Sequence, residues 1–277
     1  MADEALRSRS ARAAAEQALV SVVHHYGSLP EFVVLGGLVP EILCVGTEYH
    51  HAGTTDVDVQ VDLEIAAGSV NTARLERALR NAEFEPQGAR VWCWVAGGTT
   101  SKALIKFELL ADDEAAPAES TIKFMDCEIL GAVNLRGTGF AARDAVVRKL
   151  TARIGGDLLA VDVKVTGLAG FLLAKTAAAR SRRLRKDWYD IAFVLRHNDA
   201  GGPSAAAQAV RELFGDELDG SVRTAIDDLL ANFVRGAQGT ESYVEQMLVD
   251  HPDLDPLQLT ADAILSVQEF HRALYGP

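Results

Sequence analysis

The 277-residue chain is poor in cysteine and has no long hydrophobic run. Its three cysteines, Cys44, Cys93 and Cys127, are odd in number and widely spaced, which excludes a disulfide framework and paired zinc-ligand spacing. No stretch of about 18 apolar residues is present, and charged side chains interrupt the first 20 positions. We therefore expect no membrane span and no secretory signal. A reducing, cytoplasmic setting follows, with the cysteines as small apolar side chains.

Several nucleotide-binding and hydrolytic motifs are also missing. The sequence contains no GxxxxGK[ST] phosphate loop, no GxGxxG after a strand, no HExxH and no GxSxG. The corresponding classes are P-loop NTPases, Rossmann enzymes, zincin proteases and α/β-hydrolases, and the absences argue against all four. The composition itself is that of an ordinary globular protein, with 48% hydrophobic and 24% charged residues.

Negative charge dominates, and it is unevenly distributed. The chain has 27 basic and 39 acidic residues, a net charge of −12, and residues 201–277 contribute 13 acidic against 4 basic side chains, or −9. The total argues against a nucleic-acid partner, because phosphate binding needs clustered cations. A local exception is the Arg cluster, residues 180–186, which has five cations in seven positions. It is either a solvated turn or an anion-binding clamp.

Hydrophobic periodicity predicts an α+β fold. We expect a small mixed sheet with flanking helices over residues 1–166, followed by a helical lobe over residues 167–277. The predicted strands are 32–35, 55–63, 91–95, 103–110, 121–130 and 161–165. The predicted helices are 4–26, 38–45, 72–82, 168–180, 187–197, 222–234 and 259–274.

The strand at 55–63 provides the candidate site. Valines alternate there with Asp56 and Asp58, and carboxylates two residues apart project from the same strand face, about 7 Å apart. Such a pair can hold magnesium. Gly36 and Gly37 end the preceding strand, where bare backbone N–H groups could meet a polyphosphate. The plainer interpretation is a solvent-facing strand and an ordinary turn.

A third carboxylate would complete a metal site. Glu108, on the predicted strand 103–110, is the best candidate, and Asp112 and Asp126 are weaker ones. The adjacent histidines at 50–51 point apart in any regular element, so we predict no zinc site there.

The combination of these motifs resembles a known family. The segment Val34-Leu35-Gly36-Gly37, a short helix, and then Thr55-Asp56-Val57-Asp58 resemble the DNA-polymerase-beta-like nucleotidyltransferase fold. The later segment, from Leu173-Ala174-Lys175 to Lys186-Asp187-Trp188-Tyr189-Asp190, is similar to the second half of AbiEii/AbiGii-type nucleotidyltransferase toxins. The resemblance covers residues 32–195, with both halves in the family's order.

The resemblance implies a reaction and a set of residues. The reaction is metal-dependent transfer of an NMP from an NTP to a hydroxyl, with release of pyrophosphate. Two Mg²⁺ ions would be held by Asp56, Asp58 and Glu108, and the family's functional Lys and Asp would correspond to Lys175 and Asp190. Gly36, Gly37, Arg182, Arg183 and Arg185 would contact the nucleotide or an RNA backbone.

The resemblance also implies an acceptor and a partner. In the family, tRNA 3′ ends are among the acceptors, and the protein is usually a toxin neutralised by an antitoxin. Transfer to a small molecule or to a protein side chain is an alternative, and a catalytically silent partner-binding module is another. From residue chemistry alone, Lys175 would only extend its ammonium to the surface of an apolar helix.

Overall fold

The computed structural model describes residues 9–61, 70–97 and 104–276. It confirms the predicted fold class, a mixed open sheet with flanking helices followed by a helical region. The predicted ends of the strands at 55–63 and 103–110 and the start of the helix at 4–26 lie partly outside the described residues.

The described residues form a nine-stranded sheet in the order β3-β4-β5-β2-β1-β9-β8, with β7 beside β5 and β6 beside β7. The strands are β1 (Phe32–Leu35), β2 (Asp56–Val61), β3 (Glu85–Gln87), β4 (Arg90–Gly97), β5 (Leu104–Ala111), β6 (Thr121–Lys123), β7 (Gly131–Asn134), β8 (Ala145–Ile154) and β9 (Asp157–Thr166).

The helices are α1 (Arg9–Tyr26), α2 (Pro40–Leu43), α3 (Val70–Asn81), α4 (Gly139–Arg143), α5 (Leu168–Arg182), α6 (Arg185–His197), α7 (Pro203–Phe214), α8 (Ser221–Asn232), α9 (Gln238–Asp250) and α10 (Pro256–Tyr275). Two 3-10 turns, Gly36–Leu38 and Gly215–Glu217, accompany them. Within the described ranges, no helix has the length and apolar character needed to cross a bilayer.

Strict alternation gives the sheet one apolar face. Val57, Val59 and Phe107 are fully buried on that face, and α1 packs against β2, β5, β8 and β9. Burying these side chains contributes about 1.5–3 kcal/mol each. The residues between them in sequence must point to the opposite face, which therefore holds the polar side chains of the same strands.

Backbone contacts group the chain into two compact units. The sheet unit comprises residues 1–39 and 53–166, and the helical unit comprises residues 40–52 and 167–277. The predicted division at residues 166 and 167 did not anticipate that the segment 40–52 packs with the helices. Backbone N–H groups at positions 45 and 46 donate to the Asp199 carboxylate, which fixes that segment within the helical unit.

One long strand was missed by the periodicity. β8 pairs with β9 along ten residues, and its first five residues are exposed. Its second half does alternate, with half-buried Leu150, Ala152 and Ile154 between exposed polar residues, so a signal for this strand was present over about five residues.

Candidate functional site

Three predicted carboxylates share one face of the sheet unit. β2 and β5 are parallel, and their register pairs Asp58 with Glu108 and Asp56 with Lys106. Paired residues on neighbouring strands project to the same side, with backbones about 4.8 Å apart. Asp56, Asp58 and Glu108 therefore lie on one face, here called the carboxylate face, and all three are half-buried.

Lys106 and Cys93 lie next to two of these carboxylates. The ammonium of Lys106 lies 3.8 Å from Asp56 Oδ1, a long ion pair. The thiol of Cys93 lies 3.3 Å from Gln87 Oε1 and 3.7 Å from Glu108 Oε1, and it can donate to either oxygen. Burial first, and then the charge of Glu108, raises the pKa of Cys93 to about 12. Cys93 is thus a neutral thiol beside Glu108. It is buried, but its neighbours Gln87 and Glu108 are polar, so it is not the purely apolar side chain that was predicted.

The two glycines pack closely against the same strand. Gly36 has a φ of 78°, and a Cβ there would lie 1.9 Å from Asp58 Oδ2. A Cβ at Gly37 would lie 2.8 Å from the Thr54 Cβ. The sequence predicted open space beside the backbone of both glycines. In the structure, the side chains of Asp58 and Thr54 occupy that space. Glycine is required at position 36 so that the Asp58 carboxylate can rest on the turn.

The weaker candidates for the third carboxylate have other positions. Asp112 Oδ2 accepts hydrogen bonds from the backbone N–H groups of Gly137 and Gly139, at 2.8 and 3.0 Å, so it holds the start of α4. Asp126 is exposed in a turn after β6. Of the three, Glu108 is the one that the strand register places beside Asp58.

The predicted functional Lys and Asp lie in a buried ion network of the helical unit. Lys175 Nζ on α5 lies 2.9 Å from Asp187 Oδ1 and 2.8 Å from Asp190 Oδ2, both on α6. Lys175 is 7% exposed, Asp187 0% and Asp190 1%. Burial alone would lower the pKa of Lys175, but the two aspartates outweigh it and raise that pKa above its usual value. The ammonium is directed at carboxylates of its own unit.

Sequence reasoning missed the other members of this network. His51 Nε2 lies 2.9 Å from Asp190 Oδ1, and its ring stacks on Tyr189 with centroids 5.0 Å apart. The Tyr189 hydroxyl accepts the backbone N–H of Ala52 at 3.1 Å. These contacts join the segment 40–52 to α6. The available signal was the pair Asp187 and Asp190, which share one helix face and lie opposite a lysine in an apolar helix.

The Arg cluster is largely neutralised within the helical unit. Arg182 Nη2 donates to both oxygens of Asp187, at 3.1 and 3.0 Å. Arg183 pairs with Asp228 at 2.8 Å, and Arg185 pairs with Glu245. Local sequence alone predicted an anion-binding clamp here. In the structure, Asp228 and Glu245, which lie 45 and 60 residues further along the chain, pair with two of its cations.

A closed metal-binding cage is absent from the described ranges. No group of three or more His, Cys, Asp or Glu side chains there is close enough to hold a metal ion. The carboxylate face therefore provides oxygen ligands side by side, and metal binding would require their side chains to turn towards a common point.

Comparisons with known proteins do not assign a function to the chain. No protein-family model matches the chain, and no curated protein sequence matches it. Among solved structures, the crystal structure of JHP933 from Helicobacter pylori is similar, at 13% identity and a TM-score of 0.46, over 96% of this chain and 94% of that one. What the chain does has to be argued from its own side chains.

Proposed function

We propose that the protein is a metal-dependent nucleotidyltransferase that moves an NMP from an NTP to a hydroxyl acceptor. The observation that carries the proposal is the register that places Asp58 beside Glu108, with Asp56 two residues away on the same face. Three carboxylates thus lie on one surface of the sheet unit. Carboxylate oxygens are the hard ligands that a divalent cation prefers.

The donor set fits magnesium. Asp56, Asp58 and Glu108 would hold up to two ions once their side chains turn towards a common point, because strand spacing keeps their backbones close enough for this. Bound magnesium would supply charge stabilisation for the phosphates and a lowered pKa for the acceptor hydroxyl. The contact with Gly36 limits the positions open to the Asp58 carboxylate, which reduces the entropy lost when it binds a cation.

Lys175 and Asp190 receive positioning roles in this proposal. Their charges compensate each other inside the helical unit, and little of either side chain reaches solvent. They hold α5, α6 and the segment 40–52 together through His51. We therefore place the groups that touch substrate on the carboxylate face.

The acceptor we propose is RNA, with the tRNA 3′ end as the form that the motif resemblance suggests. A partner antitoxin belongs to the same suggestion. Transfer to a small molecule or protein side chain is the second candidate, and neutralisation of the Arg cluster favours it, because that cluster has little charge left for a polyphosphate backbone.

The test is transfer of labelled nucleotide. Purified protein is incubated with Mg²⁺, each α-³²P-labelled NTP, and either total RNA or protein lysate, and label transfer and pyrophosphate release are measured. We expect wild-type transfer that EDTA abolishes and that Asp56→Asn and Glu108→Gln lose by at least about a hundredfold. Asp126→Asn, an exposed carboxylate of the same unit, is the matched control and should retain activity.

The outcomes separate the candidate functions. Label appearing in RNA supports the RNA acceptor, whereas label appearing only in protein or a small product supports the second candidate. A wild-type protein that transfers no label to any acceptor contradicts the enzymatic proposal and favours a partner-binding module. Equal activity of Glu108→Gln and wild type would remove Glu108 from the site.

A further inference from the structure

The hairpin formed by β8 and β9 carries cations without internal partners. Arg148, Lys149 and Arg153 are exposed, and Lys164 is half-buried. Within the described ranges, none of these four cationic groups makes a hydrogen bond or ion pair; the Gln17 side chain donates to the backbone carbonyl of Arg153, at 2.6 Å. β8 contains three cations and no acid, and β9 adds Lys164, Asp157 and Asp162, so the hairpin has a net charge of +2 in a chain of −12. Asp162 lies opposite Lys149 in the register, at no ion-pair distance. The Arg cluster differs, since three of its arginines are matched with carboxylates.

The strand register places part of this charge on the carboxylate face. In the antiparallel pair β1 and β2, Leu35 lies beside Asp58, so Leu35 and Val33 share the face of the carboxylates. Val33 lies beside Lys164 of β9, and Lys164 lies beside Val147 of β8.

Alternation along β8 extends the face from Val147 to Lys149, Thr151 and Arg153. Arg148, by the same rule, points to the opposite face.

The face of the hairpin that holds Lys149 and Arg153 is open. α1 contacts β8 and β9, and the buried valines of β9 are Val161, Val163 and Val165, which belong to the opposite face. Val147 and Leu158, which share the carboxylate face, are 55% and 65% exposed. Between the two regions, Val33 and Leu35 of β1 are only 5% and 6% exposed, so the acidic centre and the open basic edge are separate patches on one face of the sheet.

We propose that this basic edge binds the phosphate backbone of an acceptor RNA. The inference rests on the proposed function, because a hydroxyl acceptor linked to phosphates is what would need both regions of one face. Lys149 and Arg153 lie four residues apart on an extended strand, about 13 Å, and can contact separate phosphates of one backbone. Neither strand contains an aromatic side chain on which a base could stack. Binding is therefore independent of base sequence.

The experiment measures RNA binding apart from catalysis. Fluorescence anisotropy gives the Kd of the full chain for two fluorescein-labelled, 20-nucleotide single-stranded RNAs of unrelated sequence, from 50 to 200 mM KCl without nucleotide. The test variant is Lys149→Gln/Arg153→Gln. The matched control is Arg77→Gln/Arg211→Gln, which removes two exposed arginines that make no ion pair within the described residues. Arg148→Gln tests the opposite face of the same strand.

The expected result is a change in salt dependence. The slope of log K against log salt should fall in magnitude by about 2 in the test variant, about 1 for each lost phosphate contact, and equally for both RNAs. The control variant and Arg148→Gln should keep the wild-type slope. Circular dichroism spectra and thermal midpoints establish that each variant is folded.

Several outcomes would overturn the proposal. They are no RNA binding by the wild type, equal losses in the test and control variants, or unchanged binding in the test variant. Competition by polyglutamate as effective as that by RNA would point instead to an acidic protein partner and would overturn the assignment to RNA. RNA binding that depends on Lys149 and Arg153 in a protein that transfers no nucleotide would refute the proposed function alone.

Discussion

Two groups of acidic side chains in this molecule differ in what surrounds them. On the carboxylate face, Asp56, Asp58 and Glu108 are half-buried, and Lys106 is the cation paired with them in the register, at 3.8 Å from Asp56. In the helical unit, Asp187 and Asp190 are buried and are matched by Lys175 and Arg182. The first group is partly exposed to solvent, and the second forms buried ion pairs that hold α5 to α6.

The physical cause of the difference is desolvation. A carboxylate that leaves water must be compensated inside the protein, because the penalty is several kcal/mol per ion. Half-buried carboxylates keep part of their hydration and can remain under-compensated at smaller cost. Motif resemblance gave Asp56 and Asp190 similar importance, whereas burial separates a residue suited to chemistry from one suited to positioning.

Removing the lysine of the buried ion network tests this difference most strongly. Lys175→Met should lower the free energy of unfolding by about 3–5 kcal/mol, because it leaves two buried aspartates with less compensation. Urea unfolding followed by circular dichroism measures the change. Arg180→Met, an exposed cation on the same helix, is the control and should change stability by at most about 0.5 kcal/mol. A loss below about 1 kcal/mol for Lys175→Met would mean that the network is not what holds α5 to α6.

The glycine turn beside the carboxylate face allows a second test. Gly36→Ala should cost about 2–4 kcal/mol, because it adds left-handed strain and drives a Cβ into the Asp58 carboxylate. Gly88→Ala is matched, since Gly88 has a φ of 60° and nothing lies within 4 Å of its Cβ position. It should cost about 1–2 kcal/mol from strain alone. Equal losses in thermal-unfolding measurements would show that the contact with Asp58 contributes nothing.

Acid should weaken the helical unit through His197. Burial first, and then Arg196 and His251, lowers the pKa of His197 from 6.5 to about 4. The unfolded chain therefore takes up a proton in this range before the folded chain does. The stability linked to His197 is complete above pH 6.5 and is lost as pH falls towards 4. Lys175, whose pKa is raised, loses its contribution only above its ordinary value of 10.5, outside this range.

One variant isolates the contribution of His197 to the loss of stability in acid. Between pH 7 and 4.5 the wild type should lose about 2 kcal/mol through this histidine, after allowance for partial exposure of the ring. His197→Phe should lose correspondingly less over the same range, although it also removes the contact with the Tyr243 hydroxyl at 3.3 Å. Parallel pH profiles of the two proteins in urea unfolding would contradict the assignment to His197.

Local sequence was enough to predict the acidic residues of the carboxylate face, because their arrangement depends on strand geometry. Alternation around Val57 and Val59 was enough to place Asp56 and Asp58 on one face, since the period of a strand is fixed by its backbone. Glu108 could be proposed from the same rule. Its pairing with Asp58 could not, because register is set by packing between strands that are 50 residues apart.

The ion pairs of the helical unit depend instead on contacts between distant segments. The partners of Arg183 and Arg185 are Asp228 and Glu245, and no local pattern relates them. His51 reaches Asp190 across 139 residues because the segment 40–52 packs against α6. A sequence pattern can show where charge is concentrated, but it cannot show whether folding leaves that charge available.

The smallest expected effect concerns the carboxylate face itself. Asp56→Asn should change the free energy of unfolding by at most about 0.5 kcal/mol without Mg²⁺, because the side chain is half-buried, its ion pair with Lys106 is long, and the Asn oxygen can still accept the Thr55 hydroxyl. With saturating Mg²⁺ the wild type should be stabilised by about 3 kcal/mol at a hundredfold excess over Kd, and the variant by much less. Differential scanning fluorimetry across a MgCl₂ series measures both, with Asp126→Asn as the matched carboxylate loss. Equal stabilisation of the wild type and Asp56→Asn would place the magnesium elsewhere. A loss above about 2 kcal/mol without metal would place Asp56 with the buried, structural acids and remove the distinction between the two regions.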